Sequence, residues 1–458
     1  MRPGRLPLVI GGALCLGWLS LTTGYGAAAG LAPSTTVDLG GQDLPGGGLG
    51  STAPDRPTPL QPGLWADVLG GSTTKNAHHF SYQRRIQNST VHVGVLGAPQ
   101  TAESDLVSVA AAVITDGVSE PCGSAQGSST YSVPQAVIGA EVIVAADDPD
   151  DTESPCLRAE TVQIVVSRGS SSNVSEIPVA IKVVEEAPVS APAGLPPADE
   201  EVSFDVPEPG TPREAPGAPS FDAAPQLDPS SDGVTVSTRI EEGTEQLWRV
   251  GVQWGQQLVV RATAPGVDQA AVDELGCCGG VPLRVHLVGP SRSTFAHNSL
   301  DTSESNEGAY AVEPDAVADL VAGTPPLRYL NRYDDTRPVL PGDYWIGLSA
   351  APVDENADRD PVEVPVELTV AVTGQVEGEP SYQQAVLSPS GGPGPGGYSP
   401  EQPFLVADDT FAAVASGNPV VLDAEGSWLD GRRWAGLGLG IASIACLAGG
   451  LWRLRAAR

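Results

Sequence analysis

The chain has 458 residues, of which 41% are hydrophobic and 17% are charged, and its formal net charge at pH 7 is −32. This length is enough for two or three domains. A surface this acidic repels nucleic acid and anionic lipid, so nucleic acid is excluded as a partner.

The N-terminus has the organisation of a secretory signal peptide. Two arginines, Arg2 and Arg5, precede an apolar stretch, and the small residues at 27–29 provide a cleavage site. We therefore predict a signal peptide at 1–29, followed by a Gly/Pro/Thr-rich linker at 30–62. The chain that follows is expected to be secreted into an oxidising compartment, where cysteines pair.

The region 63–186 is predicted to be the first of two β-rich domains. Its short apolar runs are separated by Gly and Pro turns, which is typical of strands, and none is long enough for an amphipathic helix. Cys122 and Cys156 lie here, and we predict a disulfide between them that contributes about 3–4 kcal/mol. The acidic string at 147–151 is predicted to be a turn.

After a Pro/Ala/Glu-rich linker at 187–217, the region 218–375 shows the same pattern. Trp248, Val250, Val252 and Trp254 alternate with polar residues, which predicts a half-buried strand with both tryptophans in the core. The segment 363–370 also parallels 176–183, and 247–265 parallels 80–99. The fold predicted is therefore all-β, with two tandem, jelly-roll-like β-sandwiches derived from a repeat.

The second copy resembles the bacterial pre-peptidase C-terminal type of β-sandwich. The resemblance is carried by four segments, at 247–250, 255–260, 283–287 and 341–348. It covers 218–375 and, more weakly, 63–186. The chain is also similar to uncharacterised actinobacterial surface proteins, and its preference for Arg over Lys fits such a source. The resemblance implies a non-catalytic, secreted accessory module.

Three groups of residues in the second copy are candidates for a site. Asp354, Asn356, Asp358 and Asp360 place oxygen atoms at alternate positions, as calcium loops do, although a solvated acidic turn gives the same pattern. The adjacent Cys277 and Cys278 form either a vicinal disulfide or two separate pairs. Tyr329 and Tyr333 lie in a loop, where we expect them to be exposed and to contact a ligand.

The C-terminus is predicted to anchor the chain in a membrane. A Gly/Pro-rich stalk at 376–433 leads to the uncharged segment 434–452, which is long enough to span a bilayer, and to a basic tail at 453–458. Gly436 and Gly440 form a small-xxx-small pair, so a homodimer through this helix is a further hypothesis. The location expected is the cell membrane, with a single pass, the ectodomain outside and the tail in the cytoplasm.

The chain contains no nucleophile elbow, zinc-protease or phosphate-loop motif, and no histidine lies at a metal-binding spacing from Cys277 or Cys278. We therefore expect a non-catalytic binding or scaffold protein that serves a membrane or envelope partner. A carbohydrate- or wall-binding module is the alternative, and a hydrolase without a recognisable motif is third. No cofactor is expected apart from the possible calcium ion.

Overall fold

The structure is a computed structural model that describes residues 37–71, 76–100, 104–129, 137–169, 175–199, 202–229, 233–266, 280–295, 307–310, 317–333, 338–351, 361–382, 404–406 and 419–421. The described residues form strands, one short helix and two 3₁₀ turns. The prediction of an all-β fold is confirmed. Within these residues, no helix is long and apolar enough to cross a membrane. The predicted spanning segment, 434–452, lies outside them.

The first half of the chain contributes ten strands and the helix. The strands are β1 (Gln42–Asp43), β2 (Thr58–Leu60), β3 (Gly63–Leu69), β4 (Ala77–Gln83), β5 (Thr90–Gly97), β6 (Leu106–Thr115), β7 (Val118–Ser128), β8 (Ile138–Val144), β9 (Thr161–Arg168) and β10 (Ile177–Glu186). The helix α1 (Pro155–Arg158) lies between β8 and β9.

The second half repeats this succession of strands. They are β11 (Arg213–Glu214), β12 (Val234–Glu241), β13 (Thr244–Val252), β14 (Gln257–Ala264), β15 (Val281–Val288), β16 (Thr294–Phe295), β17 (Glu307–Tyr310), β18 (Ala318–Gly323), β19 (Gly342–Ala350) and β20 (Glu363–Thr373). The 3₁₀ turns are Pro192–Gly194 and Tyr329–Tyr333. Two short strands, β21 (Phe404–Val406) and β22 (Pro419–Val421), extend a sheet of the first half.

The strands form four sheets, numbered here in their order of stacking. Sheet 1 has the order β2-β4-β9-β6-β7, and sheet 2 contains β1-β3-β10 with β5 and β8 beyond β10. Sheet 3 is β13-β19-β15 with β16 and β17, and sheet 4 is β11-β12-β20-β14-β18. One apolar core lies between sheets 1 and 2, and another between sheets 3 and 4. The chain thus forms two β-sandwiches.

The two sandwiches share one topology, which agrees with the predicted repeat. The order β3-β10-β5-β8 in sheet 2 corresponds to β12-β20-β14-β18 in sheet 4. The segments identified as copies begin the central strands β10 and β20. Pro178 and Pro365 lie at the starts of these strands, where the paired residues are Val68 and Arg239 respectively. On its other side, Pro178 only accepts a hydrogen bond, from the Ala98 N–H at 3.0 Å. A missing N–H is tolerated there, even in a central strand.

A third apolar cluster joins the sandwiches. It brings Leu96 and Ala180, on the outer side of sheet 2, together with Leu247, Val288 and Trp345, on the outer side of sheet 3. The turn between β15 and β16 packs against sheet 2 at a glycine: a Cβ on Gly94 would lie 1.6 Å from the Ser291 carbonyl oxygen. The sandwiches are therefore in direct contact.

Segments predicted as linkers are more ordered than their composition indicates. Residues Val37 and Leu39 are buried at the contact between the sandwiches, and Val202 is also buried. In the predicted stalk, Tyr382 and Phe404 are buried against the second core. A few large side chains fix these polar, proline-rich segments to the sheets.

Candidate functional site

The outer face of sheet 1 is a distinctive part of the molecular surface. Along β4, β6 and β9, alternate residues such as Phe80, Val109 and Ile164 point into the core. The other positions face outwards and are half-buried or exposed. They are Ala77, His79, Ser81, Gln83, Leu106, Ser108, Ala110, Ala112, Ile114, Ser119, Pro121, Ser124, Gln126, Ser128, Thr161, Gln163, Val165 and Ser167. None of these described positions carries Asp, Glu, Lys or Arg.

The outer face of sheet 4, at the other end of the stack, is charged and partly covered. Arg261 lies 2.8 Å from Asp319, and Arg239 lies 3.9 Å from Glu363. The preceding segment crosses this face, since Gly210 donates a backbone hydrogen bond to Thr235 Oγ1 at 2.7 Å. The two exposed faces at the ends of the stack therefore differ in character.

A groove adjoins the uncharged face at the end of sandwich 1. Two neighbouring cavities, of about 760 and 390 Å³, share Arg158, Ala159 and Glu160 in their walls. Ile114 and Gln163 belong to both the uncharged face and the larger cavity. The face and the groove thus form one continuous surface.

One wall of the groove is the tip of the β6–β7 hairpin. Asp116 and Gly117 adopt positive φ angles of 53° and 79°, the conformation of a two-residue type I′ turn. Beside this turn, Ile114 is 53% exposed and Val118 is 59% exposed, an unusual exposure for β-branched apolar residues. The hairpin therefore presents an apolar tip next to the cavity.

The opposite wall is the α1 turn, which is held in place by a disulfide and by hydrogen bonds from Arg84. Cys122 of β7 and Cys156 of α1 form the predicted disulfide, with their Cα atoms 5.5 Å apart. The buried guanidinium of Arg84 donates to the carbonyl oxygens of Leu157, at 2.9 Å, and Ala159, at 2.7 Å. Burial lowers the pKa of Arg84 to about 10, although nearby Glu185 opposes this effect. Arg84 satisfies carbonyls that a helix end leaves without partners.

The predicted contact residues Tyr329 and Tyr333 do not form an exposed surface. Tyr329 is only 7% exposed, so the expectation for it is wrong. Its ring lies beneath the guanidinium of Arg332, with Cζ 3.6 Å from the ring centre. Tyr333 is half-buried in the same 3₁₀ turn. The cation–π contact with Arg332 holds the Tyr329 ring in the interior.

Arg332 belongs to a buried polar cluster at the contact between the sandwiches. Its Nη1 donates to Glu186 Oε2 at 2.8 Å. His92 lies between two carboxylates, with Nδ1 2.9 Å from Glu141 Oε1 and Nε2 3.0 Å from Glu186 Oε2. We call His92, Glu141, Glu186 and Arg332 the junction cluster.

Charges within the junction cluster determine its protonation. Burial by itself raises the pKa of Glu186, but Arg332 and His92 outweigh it and lower that pKa to about 2. Burial likewise disfavours a charged His92, but its hydrogen bonds to Glu141 and Glu186 raise the pKa of His92 above its ordinary value. The cluster is a paired set of buried charges, which suits a structural role better than a catalytic one.

The remaining predicted site residues have different outcomes. Asp354, Asn356, Asp358 and Asp360 lie outside the described residues, as do Cys277, Cys278, Gly436 and Gly440. The string at 147–151 forms the predicted turn, in which Asp150 N donates to Asp148 Oδ1 at 2.8 Å. In the described part of the chain, no three or more His, Cys, Asp or Glu side chains are grouped to hold a metal ion.

The sequence-based interpretation missed the uncharged face and the groove. The dipeptide Asp116-Gly117 between runs of alternating residues was a usable signal for the hairpin. The absence of charge along β4, β6 and β9 was also visible, once the outward positions of each strand are compared. The role of Arg84 had no local signal, because its acceptors at Leu157 and Ala159 are more than 70 residues away.

Comparisons with known proteins give no family for this chain. No protein-family model matches it, and no curated protein matches it. A tandem CBM22-1–CBM22-2 domain of Paenibacillus barcinonensis Xyn10C is 12% identical over 69% of this chain and 92% of that chain, with a TM-score of 0.18. The ANX2 ectodomain from Arabidopsis thaliana is 9% identical over 68% and 86%, with a TM-score of 0.18. TM-scores this low support no inference about function.

Proposed function

We propose that this chain is a non-catalytic binding protein of the cell envelope that holds a protein partner on the outer face of sheet 1 and in the adjoining groove. In this proposal, the signal peptide at 1–29 directs export and the segment 434–452 anchors the ectodomain to the membrane. The observation that carries the proposal is an uncharged, open sheet face on a chain with a net charge of −32.

An uncharged face favours a protein partner for a physical reason. The buried centres of protein interfaces are depleted in charged residues, because each charge must lose its water when the surfaces meet. Small side chains such as Ser108, Ala110 and Ala112 also leave the sheet flat, so a partner can approach closely. Contact on this face buries apolar and weakly polar groups without isolating a charge.

The groove supplies the polar margin that such an interface needs. The acidic residues Asp116, Glu153 and Glu160 outnumber the basic residues of its walls, which are Arg84 and Arg158. Arg84 is buried, and Arg158 is already paired with Glu153. This excess of acidic groups is complementary to a partner with basic residues beside its apolar contact. Charges at the rim of an interface mainly set the association rate and the orientation of the partner.

The described aromatic residues favour a protein partner over a polysaccharide. Sugar-binding surfaces rely on exposed aromatic rings that stack on the sugar. Trp248, Trp254, Tyr344 and Trp345 are all fully or almost fully buried, and the large exposed apolar residues of the described part include no aromatic. The two tryptophans predicted to lie in the core are confirmed there.

A pair of matched variants tests the proposal. Ala110→Arg places a cation in the middle of the uncharged face, between Val165 and Ser124 of the neighbouring strands. We expect capture of a membrane or envelope protein by the full chain to weaken at least about tenfold, equivalent to about 1.4 kcal/mol. Thr263→Arg makes the same change on the outer face of sheet 4 and is expected to leave capture unchanged.

Two results of this experiment would contradict the proposal. Equal capture by Ala110→Arg and the wild-type chain would remove the uncharged face from the binding surface. Retention of the wild-type chain on purified wall polysaccharide, without any captured protein, would favour the carbohydrate alternative instead. Each variant is compared by thermal unfolding, so that loss of capture is not confused with loss of fold.

A further inference from the structure

The outer side of sheet 3 contains buried polar atoms that do not form hydrogen bonds with one another. Glu245 of β13, His286 of β15 and Ser349 of β19 are only 3%, 2% and 3% exposed. In the described part of the chain, both carboxylate oxygens of Glu245, both ring nitrogens of His286 and the hydroxyl of Ser349 lack a hydrogen-bond partner. Unsatisfied buried polar groups are costly, so a concentration of five such atoms calls for a ligand.

These side chains converge because of the strand register. Gly347 of β19 is the direct neighbour of His286, and Ser349 is the direct neighbour of Glu245 on one side and of Arg284 on the other. All lie on the face of sheet 3 that points away from the core of sandwich 2. Glu245 and His286 therefore flank the position of Gly347, and Ser349 lies two residues further along β19 on the same face.

Gly347 creates the space in which the polar atoms meet. A Cβ at this position would lie 2.4 Å from both Glu245 Oε1 and His286 Nε2. Any other residue would thus displace both groups. The absence of a side chain at Gly347 is what allows the carboxylate and the imidazole to approach each other.

The contact between Glu245 and His286 is not an ordinary hydrogen bond. Nε2 lies 3.0 Å from Oε1, yet the two atoms are not aligned as donor and acceptor. By contrast, His92 and His78 each make an aligned contact with a carboxylate, at 2.9 Å to Glu141 and 2.6 Å to Asp67. The atoms of Glu245 and His286 are close together without pointing at each other.

We propose that Glu245, His286 and Ser349 form a binding site for a divalent first-row transition-metal ion. His286 Nε2 and Glu245 Oε1 are 3.0 Å apart, which is the spacing of two neighbouring ligands in a coordination shell. If a metal ion lies about 2.0–2.2 Å from each atom, the angle between the two metal–ligand bonds is roughly 90°. Imidazole nitrogen with carboxylate oxygen is a ligand set that suits zinc and its neighbours. The Ser349 hydroxyl supplies a third oxygen, and water completes the shell.

Zinc binding by the full chain tests this site. The chain is dialysed against micromolar zinc and its metal content is measured; we expect one zinc ion per chain in excess of that bound by Glu245→Gln and His286→Asn. The matched controls Glu363→Gln and His79→Asn change the same residue types on the outer faces of sheets 4 and 1. They are expected to bind zinc as the wild type does.

Two further measurements keep the result interpretable if a variant folds poorly. Ser349→Ala removes only a hydroxyl and should weaken zinc affinity about tenfold while the fold is retained. X-ray absorption of the zinc-loaded wild-type chain should show one imidazole nitrogen among oxygen ligands. A wild-type chain that binds no more zinc than the two variants, or an absorption spectrum with no imidazole, would overturn the proposal.

Discussion

In the junction cluster, several buried charges meet around one residue, His92. His92 is fully buried, and both of its ring nitrogens contact carboxylates of sheet 2. Glu186 in turn holds Arg332, and Tyr382 donates to Glu186 Oε1 at 2.9 Å. Ser291 of the second sandwich donates to Glu141 at 2.6 Å. Protonation of His92 therefore affects contacts that connect both sandwiches.

The cluster predicts how stability depends on pH. Glu186, with its pKa lowered to about 2 from 4.5, stabilises the fold above pH 4.5, and this contribution is lost as pH falls towards 2. His92, with its pKa raised above 6.5, contributes fully below pH 6.5, and its contribution is lost as pH rises through the raised value. We expect these two groups to give the greatest stability between pH 4.5 and 6.5.

Urea unfolding of the full chain across this range measures the effect. The His92→Gln variant should be less stable than the wild type at pH 6 and should lose less of its stability between pH 6 and pH 9. His79→Gln, on the outer face of sheet 1, provides the matched control and should follow the wild-type profile. Parallel alkaline profiles for His92→Gln and the wild type would show that His92 does not carry the dependence.

For single residues, the sequence predicted burial correctly where burial follows from the local alternation of apolar and polar side chains. Trp248 and Trp254 are buried because they fall on the apolar side of a period-2 pattern. Tyr329 was not predictable in this way. Its burial depends on Arg332, and Arg332 is held by Glu186, which is 146 residues away in the chain.

Among the elements, strands with an apolar side were the easiest to predict. The alternation at 362–372 corresponds to β20 (Glu363–Thr373), whose inward residues form part of the second core. The edge strand β7 gave no such signal, because most of its residues are exposed and few are apolar. A bulge in its pairing with β6, together with Pro121 and the Cys122 disulfide, makes this edge a poor template for aggregation.

The β15–β16 turn shows how one element connects the sandwiches. Its Ser291 carbonyl lies directly over Gly94, and Thr294 Oγ1 donates to the Gly139 carbonyl and accepts from the Gly139 N–H, both at 3.0 Å. Both glycines belong to sheet 2, in strands β5 and β8. The close approach requires a residue without a side chain at Gly94.

Substitution at Gly94 should therefore weaken the contact between the sandwiches. Gly94→Ala places a methyl group against a backbone oxygen, and overpacking of this kind costs about 1–3 kcal/mol, and more where the backbone must move. The denaturation midpoint in urea gives the loss directly. Gly194→Ala serves as a control, since its Cβ would meet nothing within 4 Å. Equal midpoints for the two variants would mean that the turn does not press on Gly94.

For the whole molecule, the repeat explains the architecture but not the surfaces. The two sandwiches have the same sheet order, and their apolar strands are visible in the sequence. The contact between them was not, because it depends on side chains such as Leu96, Leu247 and Trp345 that lie on the outward side of their strands. An outward position predicts exposure only when no second sheet covers it.

The two outermost faces of the molecule differ in charge. Sheet 4 carries Arg239, Arg261 and their acidic partners, whereas sheet 1 carries no charge at the described outward positions. By strand order, sheet 4 corresponds to sheet 2 and sheet 1 to sheet 3, so the two exposed faces are not equivalent parts of the repeat. We propose that the outer face of sheet 1 is uncharged because it recognises a protein partner, and this is the central claim of the proposed function.

Hydrogen exchange of the full chain, with and without its captured partner, tests this claim most directly. The account predicts that backbone amides of β6, β9 and the β6–β7 turn become protected when the partner is bound. The amides of β12 and β14 in sheet 4 should exchange as they do in the free chain. Protection confined to sheet 4, with β6 and β9 unchanged, would contradict the account.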